Sequence, residues 1–544
     1  MGTEIPSWVG DPSFACLTQL TLRGCRRCKN LPTLGQLRSL QKLFIESMNG
    51  VRRLDPELHG PINSRHDVAF ASLKILEFKD MQGWELWSTI GTYKDGTAES
   101  FPCLREISLT NCPNLAVVTI ESIQSLQVLH IQECSVTVLT SMVGVSSSFV
   151  EISMVNIKGL TQLHREVLEH LGAVEYLSIK GCNELRYLWE SESEACKYLV
   201  SLSDLRVKSC KKLVSLGEKE MNPGFALKVA KMELNNCPRL KTYICPSSIE
   251  NLVIYSCGSI VALTFPTVQD PPSTLKILNI SYFNNLEVSC LLSNFLSSLR
   301  YLSVFRVPNL LSFPEGCLIH LTKLTISSCD NIESIPDKGY GFLPLLCLRY
   351  LEINKCKNLK SFPYEHLQSL TYLEELWVRD CPRLDSFPCR SWPPALRVLT
   401  IGGLMKPISE WGMQNCPTSL VKLHLYGKNS GAVPFAKAED VTNSESMALS
   451  PFILPPSLTF LQLHGFMELV SVSEGLQHLT CLEQLLIRSC PKLKDLPQTL
   501  LPLLSRLCVN SSTELRKKCG SKGKYWPIIS QIPDLHLEFE ELES

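Results

Sequence analysis

The segment LEELWVRDC, residues 373–381, decides the fold of this chain. Its apolar and polar residues alternate with the two-residue period of a β-strand that has one buried face. Leu376 and Val378 should therefore point into a core. The positions that should face solvent are Glu375, Trp377 and Arg379.

The same pattern, LxxLxLxxC, returns about every 26 residues, within the roughly 20–29 residues of a leucine-rich repeat. Each copy supplies one short strand, and parallel strands stack about 4.8 Å apart, more closely than the bulkier segments between them. The sequence therefore predicts an α/β leucine-rich-repeat solenoid. We expect a curved horseshoe with a parallel β-sheet on its concave face and mostly irregular outer segments. Clear copies begin at Leu17, Leu104, Leu126, Leu202, Leu321, Leu348, Leu373 and Leu482.

The repeats set the expected domain organisation. Residues 1–512 should form a solenoid of about twenty repeats. Residues 513–544 leave the pattern and should cap it, beginning with a basic, helix-like piece. Residues 427–456 interrupt the rhythm with small and polar residues, which predicts a disordered insertion.

Composition narrows the range of functions. The chain has 53 basic and 53 acidic residues, so no overall charge attracts nucleic acid or an anionic membrane. No apolar run approaches the roughly 18 residues of a membrane span, and the first residues do not resemble a signal peptide. The sequence therefore indicates an intracellular protein, with the cytoplasm as the expected compartment and the nucleus as a second candidate.

The 24 cysteines are too regularly placed to indicate a disulfide framework. About half of them recur at one position of the repeat, where a small apolar side chain with a weak thiol donor fits a buried turn. Cys112, Cys329 and Cys381 are examples. These cysteines are predicted to be structural.

No motif has the spacing of a catalytic, metal or nucleotide site. Cys25 and Cys28 form a CxxC pair, but the second pair that zinc needs is missing. His164 and His170 are too far apart to share one helix face, as the HExxH motif requires. The basic residues at 516–524 are interpreted as solubilising. We predict no enzyme, no cofactor and no metal.

The outward strand positions carry the candidate binding residues. Tyrosine, tryptophan and arginine dominate the energetics of interfaces because they bury a large area at low entropic cost. The alternative is that tyrosine simply suits strands. We predict that the concave face binds a protein. Its candidate residues are Tyr301, Phe305, Lys323, Tyr350, Glu352, Glu375, Trp377 and Arg379.

Three stretches carry a resemblance to a known family. The opening EIPSWVGDPSFACLTQLTLRGCRRCKNLPTLGQLRSLQKLFI, the later FASLKILEFKDMQGWELW and the tail GKYWPIISQIPDLHL resemble the leucine-rich-repeat region of plant intracellular immune receptors. Those receptors are of the coiled-coil, nucleotide-binding class, and the likeness covers nearly the whole chain. The sequence shows no coiled coil, phosphate-binding loop or switch domain, so only the repeat region of such a receptor is expected here.

The resemblance implies a function. Such a repeat array recognises pathogen effectors or guarded host proteins, and it restrains the nucleotide-binding switch domain of the receptor. Charged residues of the first repeat are candidates for contact with that switch domain. They are Arg23, Arg26, Arg27 and Lys29.

Two other functions remain open at this point. Intracellular leucine-rich repeats also recruit substrates for ubiquitin ligase complexes, but an adaptor of that kind would need a helical adaptor-binding module, and none precedes Trp8. An enzyme would need a convergent acid, base or metal cluster that the spacing does not reveal.

Overall fold

The alternation within residues 373–381 becomes a five-residue strand, Glu375–Arg379. Leu376 and Val378 are 0% exposed, whereas the outward residues of the strand remain partly accessible. The same in-and-out alternation runs through the other repeats. The predicted solenoid of parallel strands is confirmed.

The structure is a computed structural model. It describes residues 4–54, 56–59, 68–89, 100–218, 227–264, 274–284, 286, 298–310, 320–334, 347–360, 364–384, 392–405, 411, 416–427, 454–511 and 513–538. The insertion predicted at 427–456 lies outside the described residues except at its edges.

The chain divides into two compact units, residues 1–275 and 276–544. In the first unit, one strand of each repeat pairs in parallel with the strand of the next repeat. The pairing keeps one register, so that equivalent residues lie side by side, as Gln19 and Lys42 do. The strands of this ladder are β1 (Gln19–Arg23), β2 (Lys42–Glu46), β4 (Ile75–Lys79), β6 (Glu106–Thr110), β8 (Val128–Gln132), β9 (Glu151–Val155), β10 (Tyr176–Lys180), β11 (Asp204–Lys208), β12 (Lys231–Asn235) and β14 (Asn251–Tyr255).

The segments between these strands are short and varied. Some pair into small parallel ladders of their own: β3 (Arg53–Leu54) with β5 (Leu86–Ser88) and β7 (Val117–Thr119), and β13 (Thr242–Ile244) with β15 (Ala262–Thr264). Others form α1 (Val136–Val143), α2 (Arg165–Leu168), α3 (Glu192–Tyr198) and 3-10 turns at Ser7–Gly10 and Pro56–His59.

The second unit repeats the design. Its strands again pair in parallel and in sequence order, and the register shifts only near Cys490 among the described pairs. They are β16 (Ile277–Ser281), β17 (Tyr301–Phe305), β18 (Lys323–Ser327), β19 (Tyr350–Asn354), β20 (Glu375–Arg379), β21 (Val398–Gly402), β22 (Lys422–Tyr426), β23 (Phe460–His464), β24 (Gln484–Cys490), β25 (Arg506–Ser511) and β26 (Asp534–Glu538). The helical pieces are 3-10 turns at Tyr364–Ser369 and Leu501–Leu503, and α4 (Ser473–Leu476), α5 (Thr513–Cys519) and α6 (Trp526–Ile529).

The described part of the predicted cap consists of residues 513–538. Here α5 and α6 lead into β26, which pairs in parallel with β25 and places Asp534 beside Arg506. The domain boundaries given above, including the start of a cap at residue 513, stay a prediction.

Each repeat builds the core from the same few positions. In the repeat that decides the fold, Leu373, Leu376, Val378 and Cys381 are all 0% exposed. Burying one aliphatic side chain of this kind contributes about 1.5–3 kcal/mol. The thiol of Cys381 also donates to the carbonyl of Arg379 at 3.3 Å. Cys112, Cys329 and Cys381 are therefore buried and hydrogen-bonded, as predicted, whereas Cys25 of the first repeat is partly exposed.

The turn after most of the long ladder strands uses a left-handed residue. Asp380, directly after β20, has a φ of 52°. Such a φ suits glycine and is tolerated best by asparagine and aspartate, whereas other side chains meet steric strain. Glycine, asparagine, aspartate or serine fills most of these turns. The residues that depart from this rule are Glu133, Tyr282, Arg306 and Lys355.

Candidate functional site

The predicted binding residues lie on the outward face of β17 to β20 in the second unit. We call the outward side chains of β17 to β23 the strand face. Because the register is kept, Tyr350 lies beside both Lys323 and Glu375, and Glu352 lies beside Trp377. The ladder therefore brings most of the predicted residues together.

A chain of contacts links four of these residues. The ammonium of Lys323 lies 4.2 Å from the centre of the Tyr350 ring. The Tyr350 hydroxyl donates to Glu352 at 2.8 Å, and its ring centroid lies 6.4 Å from that of Trp377. Burial and this hydrogen bond raise the pKa of Tyr350, so its hydroxyl stays protonated at neutral pH. Mutual packing leaves these rings half-buried and holds them in place.

The two aromatic residues predicted on β17, Phe305 and Tyr301, lie outside the linked group of four residues. The ring of Phe305 packs against that of Tyr282, with 5.0 Å between the ring centroids. Tyr301 is 45% exposed. Both residues lie on β17, next to the Lys323 side of the linked group.

Sequence reasoning missed the part of the strand face that lies beyond β20. The β21 residues that lie beside Trp377 and Arg379 are small, namely Thr400 and Gly402. Trp377 on one side of β21 and His424 on the other stack across Thr400, with centroids 5.8 Å apart. In the same way, the guanidinium carbon of Arg379 reaches across Gly402 to 4.1 Å from the centre of the Tyr426 ring.

The ring contacts continue past β22. His424 lies 4.7 Å from Phe460 between centroids, and its Nδ1 is 2.9 Å from Oε1 of Gln462. Tyr350, Trp377, His424 and Phe460 thus form a continuous group, which we call the aromatic row. Small outward residues in VLTIG, residues 398–402, were the signal that could have revealed it.

Closure across β21 leaves polar atoms buried without partners. Nε1 of Trp377, Nε of Arg379 and Oγ1 of Thr400 have no hydrogen-bond partner among the described residues. A buried polar atom without a partner costs about 1–3 kcal/mol. Burial also lowers the pKa of His424, as do Lys422 and Arg379, so this ring is uncharged at neutral pH. The aromatic row consequently carries no charged ring at neutral pH and contains, at Trp377, a buried N–H donor without a partner among the described residues.

The ladder of the first unit differs in chemistry. Its outward residues include charged groups that pair with one another: Arg206 contacts Asp204 at 3.0 Å, and Lys208 contacts Glu233 at 2.8 Å. The guanidinium of Arg206 also lies 4.9 Å from the Tyr176 ring centre. These charges already have partners within the chain, whereas the aromatic row offers apolar area.

The candidate switch-domain residues lie at the first repeat. Arg23 ends β1 and pairs with Glu46 at 3.2 Å. Arg26, Arg27 and Lys29 are exposed on the turn that follows. The structure thus places all four on one turn and strand end, and their role stays a prediction.

The described part of the chain offers little support for metal binding or for a membrane-spanning helix. No three histidine, cysteine, aspartate or glutamate side chains converge there into a metal-binding group. None of the helices seen there is long and apolar enough to cross a membrane. That the chain is not an enzyme stays a prediction.

Comparison with known proteins shows which family and which relatives this chain resembles. The family described as R13L1/DRL21 LRRs matches residues 1–48. An Arabidopsis thaliana protein named for disease resistance is 26% identical over 408 residues, which cover 71% of this chain and 27% of that protein. The chain is a leucine-rich-repeat protein similar to plant disease resistance proteins.

A second relative and a solved structure add detail. The disease resistance RPP13-like protein 1 of Arabidopsis thaliana is 26% identical over 215 residues, 38% of this chain and 19% of that protein. The chain therefore spans about a quarter or less of the length of these relatives. A leucine-rich-repeat protein of Leptospira interrogans aligns over 99% of both chains, with 16% identity and a TM-score of 0.30.

Proposed function

We propose that this chain is the protein-binding sensor region of a plant disease resistance receptor. Its strand face would recognise a pathogen effector or a guarded host protein, in the cytoplasm. The relatives named for disease resistance support the setting of the proposal. The observation that carries the binding role is the aromatic row.

The physical argument concerns preorganisation. Interface hot spots are enriched in tryptophan, tyrosine and arginine that are held in place before binding. Trp377 is packed between Tyr350 and His424, and Arg379 is held over Tyr426, so these side chains lose little freedom when a partner docks. A rigid apolar row is thus a low-cost anchor for a protein surface.

A second role is proposed for the first strand of the first unit, β1, and the turn that follows it. Leu20 and Leu22 of β1 are partly exposed, whereas Leu43 and Ile45 in the next strand are at most 1% exposed. In a receptor, a nucleotide-binding switch domain would cover these leucines and contact Arg26, Arg27 and Lys29. The repeat region would restrain the switch through this contact.

Binding through the strand face can be tested with purified proteins. The chain would be measured against a panel of pathogen effector proteins by biolayer interferometry, and the double variant Tyr350→Ala with Trp377→Ala compared with wild type. Loss of two hot-spot rings should weaken binding by at least about 2 kcal/mol, which is about thirty-fold in Kd.

A matched control separates this effect from a general loss of aromatic surface. Tyr372 is 59% exposed and precedes β20, outside the strand face. Tyr372→Ala should leave the affinity nearly unchanged, and circular dichroism should show that all variants are folded. Equal affinity of the double variant and wild type for a bound effector would contradict the proposal.

A further inference from the structure

A groove of about 820 Å³ runs along the ends of β16 to β21, beside the strand face. Six of its twelve lining residues directly follow these strands. They are Tyr282, Arg306, Ser328, Lys355, Asp380 and Gly403. The groove lies entirely within the second unit.

Three of the lining residues are strained. Tyr282, Arg306 and Lys355 hold large side chains at φ values of 59°, 51° and 54°. A left-handed backbone costs a residue other than glycine roughly 1–2 kcal/mol. Among the other left-handed residues that the structure describes directly after ladder strands, only Glu133 departs from glycine, asparagine, aspartate or serine. Strained residues that gather around one cavity indicate a functional site.

The charges of the groove favour an anionic occupant. Its two carboxylates are already paired: Asp330 lies 2.9 Å from Lys357, and Asp380 lies 3.8 Å from Arg379. Arg306 and Lys355 are exposed, and no carboxylate among the described residues forms an ion pair with either. The groove therefore presents two cations that a ligand can use.

Arg306 is also held in a geometry that suits a carboxylate. Its guanidinium carbon lies 5.1 Å from the centre of the Tyr282 ring and 5.7 Å from that of Phe305. Stacking of this kind restrains the planar group and leaves its N–H edge available for two parallel hydrogen bonds.

The spacing of the two cations suits an extended chain. Arg306 and Lys355 follow strands that are two places apart in the ladder, about 10 Å at 4.8 Å per strand. An extended peptide covers that distance in about three residues. We propose that the groove binds an extended acidic segment of a protein partner, with carboxylates about three residues apart that contact Arg306 and Lys355. The inference rests on the proposed function and names the chemistry of the partner.

The probe is a synthetic fluorescein-labelled peptide in which two glycines separate successive glutamates. Its binding to the full chain would be followed by fluorescence anisotropy, beside the same peptide with glutamine in place of glutamate. Wild type should bind the glutamate peptide more tightly, and added salt should weaken this binding. The double variant Arg306→Gln with Lys355→Gln should bind at least about ten-fold more weakly.

The control removes the same charge elsewhere. Lys360 and Lys492 are exposed, paired lysines outside the groove, and their double change to glutamine should leave the affinity unchanged. The reversed variant, Arg306→Glu with Lys355→Glu, should instead prefer a peptide with lysine in place of glutamate. This gain of binding cannot result from misfolding.

Two results would overturn the inference: no preference of wild type for glutamate over glutamine, or an equal loss in the control variant. The strand-face variant, Tyr350→Ala with Trp377→Ala, should bind the peptide normally. If peptide binding fails while that variant still loses effector binding, the groove inference is wrong and the proposed function stands. If the strand-face variant keeps full effector affinity while the peptide results hold, the binding role proposed for the strand face is wrong and the groove inference stands.

Discussion

Replacing Glu192 with glutamine should stabilise the chain at alkaline pH and not at acidic pH. Glu192 begins α3 and is only 6% exposed. Its carboxylate accepts a hydrogen bond from Nε1 of Trp189 at 2.5 Å, which favours the ionised form. Burial has the larger effect and raises the pKa of Glu192 from 4.5 to about 7.

The sign of the effect follows from the two states of the chain. In the unfolded chain the carboxyl loses its proton near pH 4.5, whereas in the folded chain it keeps the proton until about pH 7. Stability from this group is therefore complete below pH 4.5 and is lost as the pH rises toward 7. The difference in pKa corresponds to about 3 kcal/mol.

Glutamine keeps the oxygen that Trp189 needs and cannot ionise. Its amide N–H groups lose water on burial, which costs about 1 kcal/mol. Glu192→Gln should then raise the free energy of unfolding by about 2 kcal/mol at about pH 8 and lower it by about 1 kcal/mol at about pH 4.5.

Urea unfolding at both pH values, followed by circular dichroism, measures this difference. Glu194→Gln, on the same helix but in contact with solvent, is the control and should show little change with pH. If Glu192→Gln differed from wild type by the same amount at both pH values, the buried carboxyl would not titrate as argued.

Three further substitutions test other features. Burial lowers the pKa of His59 from 6.5 to about 4, so wild type should lose stability as the pH falls from 6.5 toward 4, because the unfolded chain takes up the proton first. His59→Phe should not show this loss, and melting temperatures that fall equally with pH in both proteins would contradict the argument. Gly402→Ala would place Cβ 2.2 Å from a carbonyl oxygen of β22 and should cost at least about 2 kcal/mol in chemical denaturation, whereas Gly144→Ala, which meets only ordinary contacts, should cost little. Lys355→Gly should add about 1 kcal/mol to the unfolding free energy by removing left-handed strain, while Lys357→Gly should not; equal effects would refute the strain argument.

The fold could be predicted because its signal is local. A two-residue alternation alone predicts that Leu376 and Val378 lie in the core, and both are completely buried. The thiol position of each repeat was predictable for the same reason, since one sequence position always meets the same neighbours. Packing between consecutive repeats needs no long-range information.

The strand face was only partly predictable because its contacts skip a repeat. Trp377 and His424 meet because Thr400 between them is small, and this requires knowledge of which strands pair and in which register. The alternation predicts that Trp377 points outward, but it does not predict the stacking that leaves this residue half-buried. Likewise, the sequence SESE, residues 191–194, is typical of a solvated helix start, and only packing beside Trp189 buries the carboxyl of Glu192.

The constant register of the ladder turns its outward positions into a lattice. Neighbouring nodes lie about 4.8 Å apart across the strands and about 6.6 Å apart along them. At a partly exposed node such as Glu375, one codon change alters one outward side chain and leaves the buried residues of the strand unchanged. Gain or loss of a whole repeat instead moves every later row by one step. Selection can therefore change the binding surface of such a protein in two ways, by single substitutions at outward positions or by gain or loss of whole repeats. Both changes keep the backbone geometry of each repeat.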